Sequence, residues 1–438
     1  MISNNNKKLA QWAMEFAQSN GCQAVRVRLN SGSSSEFDVR NMQIDKLQQS
    51  SQNSMTIQLF VDDRFGSFST NRLDKKELEK FILNGIDSVR YLAEDKARTL
   101  PDSSLYFKGD SNLQLFDSKF NSMDPDKKVE LAMQVCNEMM DKDSRIISAN
   151  GSYNDRSNFS YMIASNGFEG ETSSTSFSLS SSVSIKGDGD ERPESWWYDS
   201  SLYFDDLITE GLGTKAFERV MRKLGQTKTN SGKYSMLVDS MVVGNLLGPI
   251  IGAMNGASIQ QKNSFFIDKL NEKVLGDNIT FIDDPHQPKK SGARFFDSEG
   301  IATKKQPIFE NGVLKTYFID TYYGNKLEMP STIDSPSILT MQLGDKNIDE
   351  LIETIEKGIW VTGFNGGNSN STTGAFSYGI EGFLVEKGKI IQPVNEMNIT
   401  GNLLTLWNNL KEAGNDPFKP ARWIIPSLLF EGVDFSGL

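Results

Sequence analysis

The chain has 438 residues, of which 37% are hydrophobic and 24% are charged, and its formal net charge is −11. This composition is typical of a globular protein and excludes a disordered one, and the length predicts at least two domains. A strongly acidic chain has no general attraction to nucleic acid or to anionic membranes, so neither is predicted as a partner.

Scarce cysteine and histidine limit the possible chemistry. The chain has two cysteines, Cys22 and Cys136, and a single histidine, His286. Two cysteines exclude a disulfide framework. One histidine excludes every mechanism that needs two, and any Ser-His or Cys-His mechanism would have to use His286.

The N-terminal segment predicts an amphipathic helix rather than an export signal. Apolar residues recur at helical spacing, namely Leu9, Trp12, Ala13, Phe16 and Ala17. Glu15 and two glutamines interrupt the apolar stretch before an export-type core forms. The most apolar window, residues 241–257, contains Pro249 and is too short to span a bilayer comfortably. We therefore expect a cytoplasmic protein.

The first half of the chain predicts antiparallel strands and helices. Strands are predicted at residues 23–30, 34–40, 55–61, 64–69 and 146–186. In the first of them Val25, Val27 and Leu29 point one way while Arg26 and Arg28 point the other, which is typical of a half-buried strand.

Helix signals separate these strands. Asp74-Lys-Lys-Glu77 is a capping box for a helix through Val89, and Asp124-Pro125 begins another that runs through Met140. Residues 187–193 predict a solvated loop; a calcium loop is the weaker alternative, because the glycine and distal glutamate of an EF-hand are missing. A helix is predicted around residues 207–224.

A polar connection at residues 228–233 predicts a domain boundary, which gives domains 1–226 and 227–438. Beyond it, Asn311-Gly312 and Lys387-Gly388 predict two hairpins. A helix over residues 403–413 and a closing strand over residues 426–435 complete the prediction. The predicted fold class is α+β, with an N-terminal α/β domain of antiparallel strands and helices and a β-rich C-terminal domain.

Six segments, in chain order, resemble the TldD/PmbA family, and the resemblance covers nearly the entire chain. They are Arg64-Phe-Gly-Ser-Phe-Ser-Thr-Asn71, Ser165-Asn-Gly-Phe168, Ile282-Asp-Asp-Pro285, Phe296-Asp-Ser-Glu-Gly300, Gly312-Val-Leu314 and Gly366-Gly-Asn-Ser-Asn-Ser-Thr-Thr-Gly-Ala-Phe-Ser377. The family, also called modulators of DNA gyrase, has two kinds of subunit. TldD-like subunits bind zinc through an HExxxH helix and a later cysteine, whereas TldE/PmbA-like subunits lack both.

The resemblance identifies this chain as the second kind. An ungapped placement puts Leu247 and Gly252 where the two histidines would lie and Gly248 where the glutamate would lie, and no cysteine follows Cys136. Zinc needs nitrogen, sulfur or oxygen ligands, and hydrolysis at zinc needs a general base. We therefore predict no catalytic and no metal-binding residue in this chain. Zinc is expected only in a TldD-like partner.

The segment from Asn365 to Ser377 is the predicted contact for a peptide or a partner. Its candidate residues are Asn365, Asn368, Asn370, Thr372, Thr373, Gly374 and Ser377. Glycines allow close backbone approach, and amide and hydroxyl side chains pair with peptide groups. The alternative is a turn that satisfies its own hydrogen bonds. The segment lacks the lysine and spacing of a P-loop, which disfavours nucleotide binding.

Three further features have competing interpretations. Asp283, Asp284 and His286 favour a structural turn, with a metal site or acid–base catalysis by His286 as alternatives. Trp196-Trp197-Tyr198 fits either an exposed interface anchor or burial between domains. Residues 241–256 favour a packed core helix over a lipid-binding one.

The resemblance implies a non-zinc subunit of a TldD/TldE-type peptidase that degrades small or unfolded peptides. The chain would be catalytically incomplete alone and would contribute a wall of the substrate channel and an assembly surface. The main alternative is a non-enzymatic peptide- or protein-binding regulator, including a homodimer. The third hypothesis is a self-sufficient hydrolase, for which no nucleophile–base pair is visible in the sequence.

Overall fold

A computed structural model describes residues 2–438 and confirms the α+β fold class. The first half contains four α-helices and six strands. In chain order they are α1 (Asn4–Ser19), β1 (Ala24–Arg40), β2 (Gln43–Val61), β3 (Arg64–Thr70), α2 (Lys75–Arg90), α3 (Pro125–Asn137), β4 (Ile146–Ala164), β5 (Glu169–Ile185), β6 (Glu194–Ser201) and α4 (Leu212–Met221).

One antiparallel sheet organises this half, in the order β3-β2-β1-β4-β5-β6. Helices α1 and α2 share an apolar core with β1 and β2, and α3 and α4 share a second core with β4 and β5. Val25, Val27 and Leu29 all lie in the first core, as their alternation predicts. The face of β1 and β2 that carries Arg26 and Arg28 is therefore turned away from the helices.

The second half contains five helices and ten strands. They are β7 (Gly232–Val238), α5 (Gly244–Ala253), α6 (Gly256–Gln260), β8 (Phe281–Asp283), β9 (Gln306–Glu310), β10 (Val313–Leu314), α7 (Thr321–Leu327), β11 (Leu339–Met341), α8 (Ile348–Glu353), β12 (Lys357–Ser369), β13 (Ala375–Glu386), β14 (Lys389–Asn402), α9 (Leu403–Asn408), β15 (Leu410–Ala413) and β16 (Leu428–Ser436).

A six-stranded sheet, β14-β13-β12-β7-β16-β15, forms the frame of this half, and an additional pairing of β14 with β16 closes it like a barrel. A four-stranded sheet, β10-β9-β8-β11, lies beside it. One apolar core joins the two sheets and includes the buried face of α5. The core prediction for residues 241–256 is confirmed, because Leu246, Leu247, Ile250 and Met254 are all buried.

Several local predictions are confirmed in detail. Asp74 caps α2 by accepting hydrogen bonds from the backbone N–H groups of Lys76 and Glu77, which confirms the start of the helix. The reciprocal half of the predicted capping box does not form, because the Glu77 carboxylate pairs with Arg72 (3.5 Å) instead. Asn311 and Gly312 take φ angles of 48° and 75° between β9 and β10, as a type I′ turn requires.

Among residues 2–438, the helices are all too short or too polar to cross a bilayer.

Several predicted boundaries are wrong. Strand β2 begins at Gln43 rather than at residue 55, because residues 43–54 continue the antiparallel pairing with β1. The predicted helix over residues 403–413 ends at Asn408, and residues 410–413 are strand β15, because pairing with β16 overrides the helix propensity of Leu-Lys-Glu-Ala. Helix α3 ends at Asn137, before Met140, where the chain turns and Asp141 adopts a φ of 59°. Strand β1 is continuous through residues 31–33, since both neighbouring strands pair with it there.

Candidate functional site

The predicted contact segment forms the hairpin turn between β12 and β13. The Oδ1 atom of Asn370 accepts hydrogen bonds from the backbone N–H groups of Thr372 (2.9 Å) and Thr373 (3.1 Å). Thr373 Oγ1 accepts one from the Ala375 backbone (3.2 Å). Gly374 is buried and has a φ of 77°, which explains the glycine. Part of the polar set therefore holds the turn itself.

The remaining members of the predicted set lie on the exposed surface of this hairpin. Asn368 of β12 and Ser377 of β13 are exposed and directly opposite each other in the antiparallel register. Asn365 is exposed and donates a hydrogen bond to Asn395 of β14 (3.1 Å). Thr372 is exposed at the tip. Peptide or partner contact by this surface stays a prediction.

Helix α5 occupies the region where the resemblance places a zinc helix. Leu247 is fully buried in the apolar core, and a methyl group built on Gly248 or Gly252 would meet no atom within 4 Å. The side chain of Leu247 contains only carbon and hydrogen, and Gly248 and Gly252 have no side chain. These residues do not fit zinc, which needs nitrogen, sulfur or oxygen donors.

The side chains of Asp283, Asp284 and His286 do not converge. Asp283 is fully buried and accepts hydrogen bonds from the N–H groups of residues 337 and 338, both at 2.8 Å. Asp284 pairs with Lys305 (2.8 Å), and His286 Nε2 lies 3.1 Å from Thr303 Oγ1. Each side chain has its own structural partner, as the turn interpretation predicts, although the buried Oδ2 atom of Asp283 has no hydrogen-bond partner within residues 2–438.

The aromatic run on β6 divides between the two competing interpretations. The rings of Trp197 and Tyr198 lie 5.7 and 5.3 Å from that of Phe418, which belongs to the second half of the chain. Trp196 is 50% exposed. Two of the three rings therefore pack between the two halves, and one faces outward.

Sequence reasoning missed a cleft of about 390 Å³ between the two halves of the chain, called here the arginine cleft. Strands β1 and β2 form one wall, and Arg98, Ser298, Glu299, Asp320 and Tyr322 are among the residues that line the rest. Arg26 and Arg28 point into it from the face that the alternation of β1 leaves polar. The sequence did not show that this face is covered, which leaves Arg26 6% exposed and Arg28 partly buried.

The family comparisons match the chain along most of its length. The PmbA/TldA metallopeptidase domain 1, central domain and C-terminal domain match residues 25–88, 118–224 and 231–437. The metalloprotease PmbA of Escherichia coli O157:H7 is 28% identical over 408 residues, which cover 92% of this chain and 90% of that protein. The PmbA homolog of Haemophilus influenzae is 27% identical and covers 98% of this chain and 96% of its own.

Solved structures have the same fold. A proposed modulator of DNA gyrase from Bacteroides thetaiotaomicron superposes with a TM-score of 0.98 at 59% identity, over 100% of both chains. TldE from Thermococcus kodakarensis superposes with a TM-score of 0.85 over 98% of this chain and 99% of its own. Its identity of 19% makes that second likeness one of fold alone.

Proposed function

Because this chain belongs to the PmbA/TldD metallopeptidase family, we propose that it is the subunit of a two-chain peptidase that supplies no zinc ligand. In this proposal a TldD-like subunit in the cytoplasm holds the zinc and its activated water. The present chain completes the chamber in which small or unfolded peptides are cut. It has no catalytic residue of its own.

The observation that carries the proposal is the chemistry of α5. Leu247 is part of the apolar core, and Gly248 and Gly252 leave the adjoining surface of the helix bare. A catalytic zinc site takes three protein ligands and keeps one position for water. Replacing one ligand by leucine and another by glycine removes two of those three, and glycine in place of glutamate removes the general base.

The exposed hairpin surface supports a role in holding peptide or partner. Asn368 and Ser377 present an amide and a hydroxyl side by side on an exposed strand pair. Such groups pair with peptide N–H and C=O groups without selecting a side chain, which suits a peptidase that acts on unfolded substrates. The turn at Asn370, whose backbone N–H groups are hydrogen-bonded by the Asn370 side chain, would hold that surface rigid.

The direct test is reconstitution. The chain is purified alone and together with a TldD-like protein that carries HExxxH and a later cysteine; zinc is measured by elemental analysis and cleavage by release of a fluorescent casein fragment. We expect co-elution, zinc in the pair but not in the lone chain, and cleavage by the pair only. Stoichiometric zinc in the lone chain would contradict the assignment, and failure to co-elute would favour a non-enzymatic binding protein or a homodimer.

A second prediction concerns the hairpin surface. The double variant Asn368→Ala/Ser377→Ala should lower either the kcat/KM of the reconstituted pair or the affinity of the two chains for each other. The expected decrease is about tenfold, the effect of losing one or two interface hydrogen bonds. The matched control is Asn158→Ala/Ser176→Ala, which removes the same two groups from exposed positions of β4 and β5. If both double variants behave like the unsubstituted chain, the hairpin is scaffold and not a contact surface.

A further inference from the structure

The arginine cleft is built from cross-strand pairs. In the register of β1 and β2, Arg26 lies opposite Gln58 and Arg28 lies opposite Thr56. Paired residues of antiparallel strands point to the same face, so both guanidinium groups and both neutral polar groups face away from the helical core. The second half of the chain covers this face with Glu299, among others, and thereby makes a cleft of it.

Arg26 forms the base of the cleft. Its Nη1 atom donates a hydrogen bond to Gln58 Oε1 (3.1 Å), and its Nη2 atom lies 3.6 Å from Glu299 Oε1. Within residues 2–438, its Nε and Nη2 atoms have no hydrogen-bond partner. A buried cation with unsatisfied donors is costly, and an anion in the cleft above it would offset its charge.

Arg28 and Arg98 add donors on two sides. Arg28 Nη2 donates to the backbone oxygen of Ser298, and burial together with the neighbouring Arg26 lowers the pKa of Arg28. The guanidinium carbon of Arg98 lies 3.4 Å from the centre of the Tyr322 ring, and the Tyr322 hydroxyl donates to Asp95. Stacking fixes the plane of Arg98 and leaves its N–H groups at the edge.

The carboxylates of the cleft are already engaged elsewhere. Glu299 Oε2 accepts from both the backbone N–H and the hydroxyl of Thr321, each at 2.7 Å. Asp320 Oδ1 accepts from the backbone N–H of Tyr323 at 2.8 Å and so caps α7. Across residues 2–438, Arg98 forms no ion pair with a carboxylate within 4 Å. Among the residues that line the cleft, three guanidinium groups therefore face two committed carboxylates. Two further carboxylates act on Arg28, but Asp334 pairs with Arg294 (3.2 Å) and burial raises the pKa of Asp297 to about 7, so a local positive surplus remains.

We propose that the arginine cleft binds the free C-terminal carboxylate of a peptide. A guanidinium fork matches the two oxygens of a carboxylate, and an anion in the cleft would offset the repulsion between Arg28 and Arg26. Thr56 and Gln58 can pair with the adjoining peptide amides, and the ring of Phe65 offers an apolar surface to a side chain. The choice of a peptide rests on the proposed function, whereas the preference for an anion rests on the cleft alone.

The test compares two probes on the full chain by isothermal titration calorimetry. N-acetyl-trialanine with a free C-terminus should bind, and its C-terminal amide should bind at least about tenfold more weakly, as loss of one charge-assisted contact predicts. Arg98→Gln should lower affinity for the free acid by about tenfold and abolish the preference for acid over amide. Arg98→Lys, which keeps the charge but not the fork, should fall between them.

Arg72→Gln is the matched control, because it makes the same change of charge at a residue whose side chain is 76% exposed. It should bind the free acid as the unsubstituted chain does, and thermal unfolding checks that every variant is folded. Equal binding of acid and amide, no binding of the acid, or an unaffected Arg98→Gln variant would overturn the proposal. Tight binding of inorganic phosphate without any acid-over-amide preference would also overturn it. If the chain prefers the free acid over the amide but the reconstituted pair cleaves nothing, the proposed peptidase function is refuted while the anion site is supported.

Discussion

Replacing Lys128 with methionine should lower the free energy of unfolding by about 3–5 kcal/mol, the usual cost of breaking a buried ion pair from one side. Lys128 on α3 lies 2.6 Å from Asp155 on β4, and their side chains are 5% and 0% exposed. The Lys128 ammonium also donates to Ser35 of β1 at 2.9 Å. Methionine would fill the space but leave the Asp155 carboxylate buried without its cation. Urea unfolding followed by tryptophan fluorescence measures the change.

Lys127 provides the control, since it precedes Lys128 on the same helix. It pairs with Glu130 at 2.9 Å, but the two side chains are 47% and 65% exposed. Lys127→Met should change the free energy of unfolding by no more than about 1 kcal/mol, as is typical of surface pairs. The double variant Lys128→Met/Asp155→Asn should recover part of the loss, because the unpaired charge is gone while an oxygen remains to accept from Tyr153. Equal effects of Lys127→Met and Lys128→Met would refute this account.

The buried pair also shows what the sequence alone leaves hidden. The helix that carries Lys128 is predictable, because Asp124 and Pro125 mark its start. Nothing in the local sequence indicates that Lys128 faces the sheet, since a lysine is normally placed on the solvated side of a helix. Its partners come from β1 and β4, 93 and 27 positions distant in the chain for Ser35 and Asp155. Long-range pairing of this kind is set by topology, which local periodicity does not encode.

Of the candidate sites, some features can be recognised in the sequence and others depend on contacts between distant residues. Leu247, Gly248 and Gly252 have no side-chain donor atom for a metal, and this property of residue types was visible in the sequence alone. The arginine cleft was not, because β1 specifies only that Arg26 and Arg28 share a face. What covers that face comes from residues about 270 positions later, as the hydrogen bond from Arg28 to Ser298 shows.

Asp297, in the part of the chain that covers Arg26 and Arg28, is buried and has a perturbed pKa. It lies in the segment from Phe296 to Gly300, which was identified above only by its resemblance to a family landmark. Its side chain is 3% exposed, and its Oδ1 atom accepts hydrogen bonds from the backbone N–H groups of Glu299 (2.8 Å) and Ile301 (3.0 Å). Burial, and then the nearby Asp334 carboxylate, raise the pKa of Asp297 to about 7. The two N–H groups act in the opposite direction and do not cancel the rise.

This raised pKa predicts that the free energy of unfolding falls as the pH rises from about 4 to about 7. In that window the folded chain keeps a proton on Asp297 that the unfolded chain has lost, so folding is favoured at the acidic end and the curve flattens above pH 7. A difference of about three pKa units corresponds to about 4 kcal/mol. The lowered pKa of Asp334 acts in another window, because its contribution is lost only as the pH falls below about 4.

Asp297→Asn isolates this effect, since the side chain cannot titrate and its amide oxygen still accepts from the N–H groups of Glu299 and Ile301. The hydrogen bond from the Asp334 N–H group to Oδ2 (3.3 Å) is lost at every pH and therefore does not change the slope. Relative to the unsubstituted chain, the variant should gain stability steadily from pH 4 to pH 7, by up to about 4 kcal/mol in urea unfolding series. Asp110→Asn removes one charge at an exposed position and corrects for the general effect of net charge. A variant curve that runs parallel to that of the unsubstituted chain across this range would mean that Asp297 is ionised in the folded protein. The hydrogen bonds from the N–H groups of Glu299 and Ile301 would then stabilise the carboxylate more than burial destabilises it. Asp297 would be charged, not protonated, at pH 4 to 7.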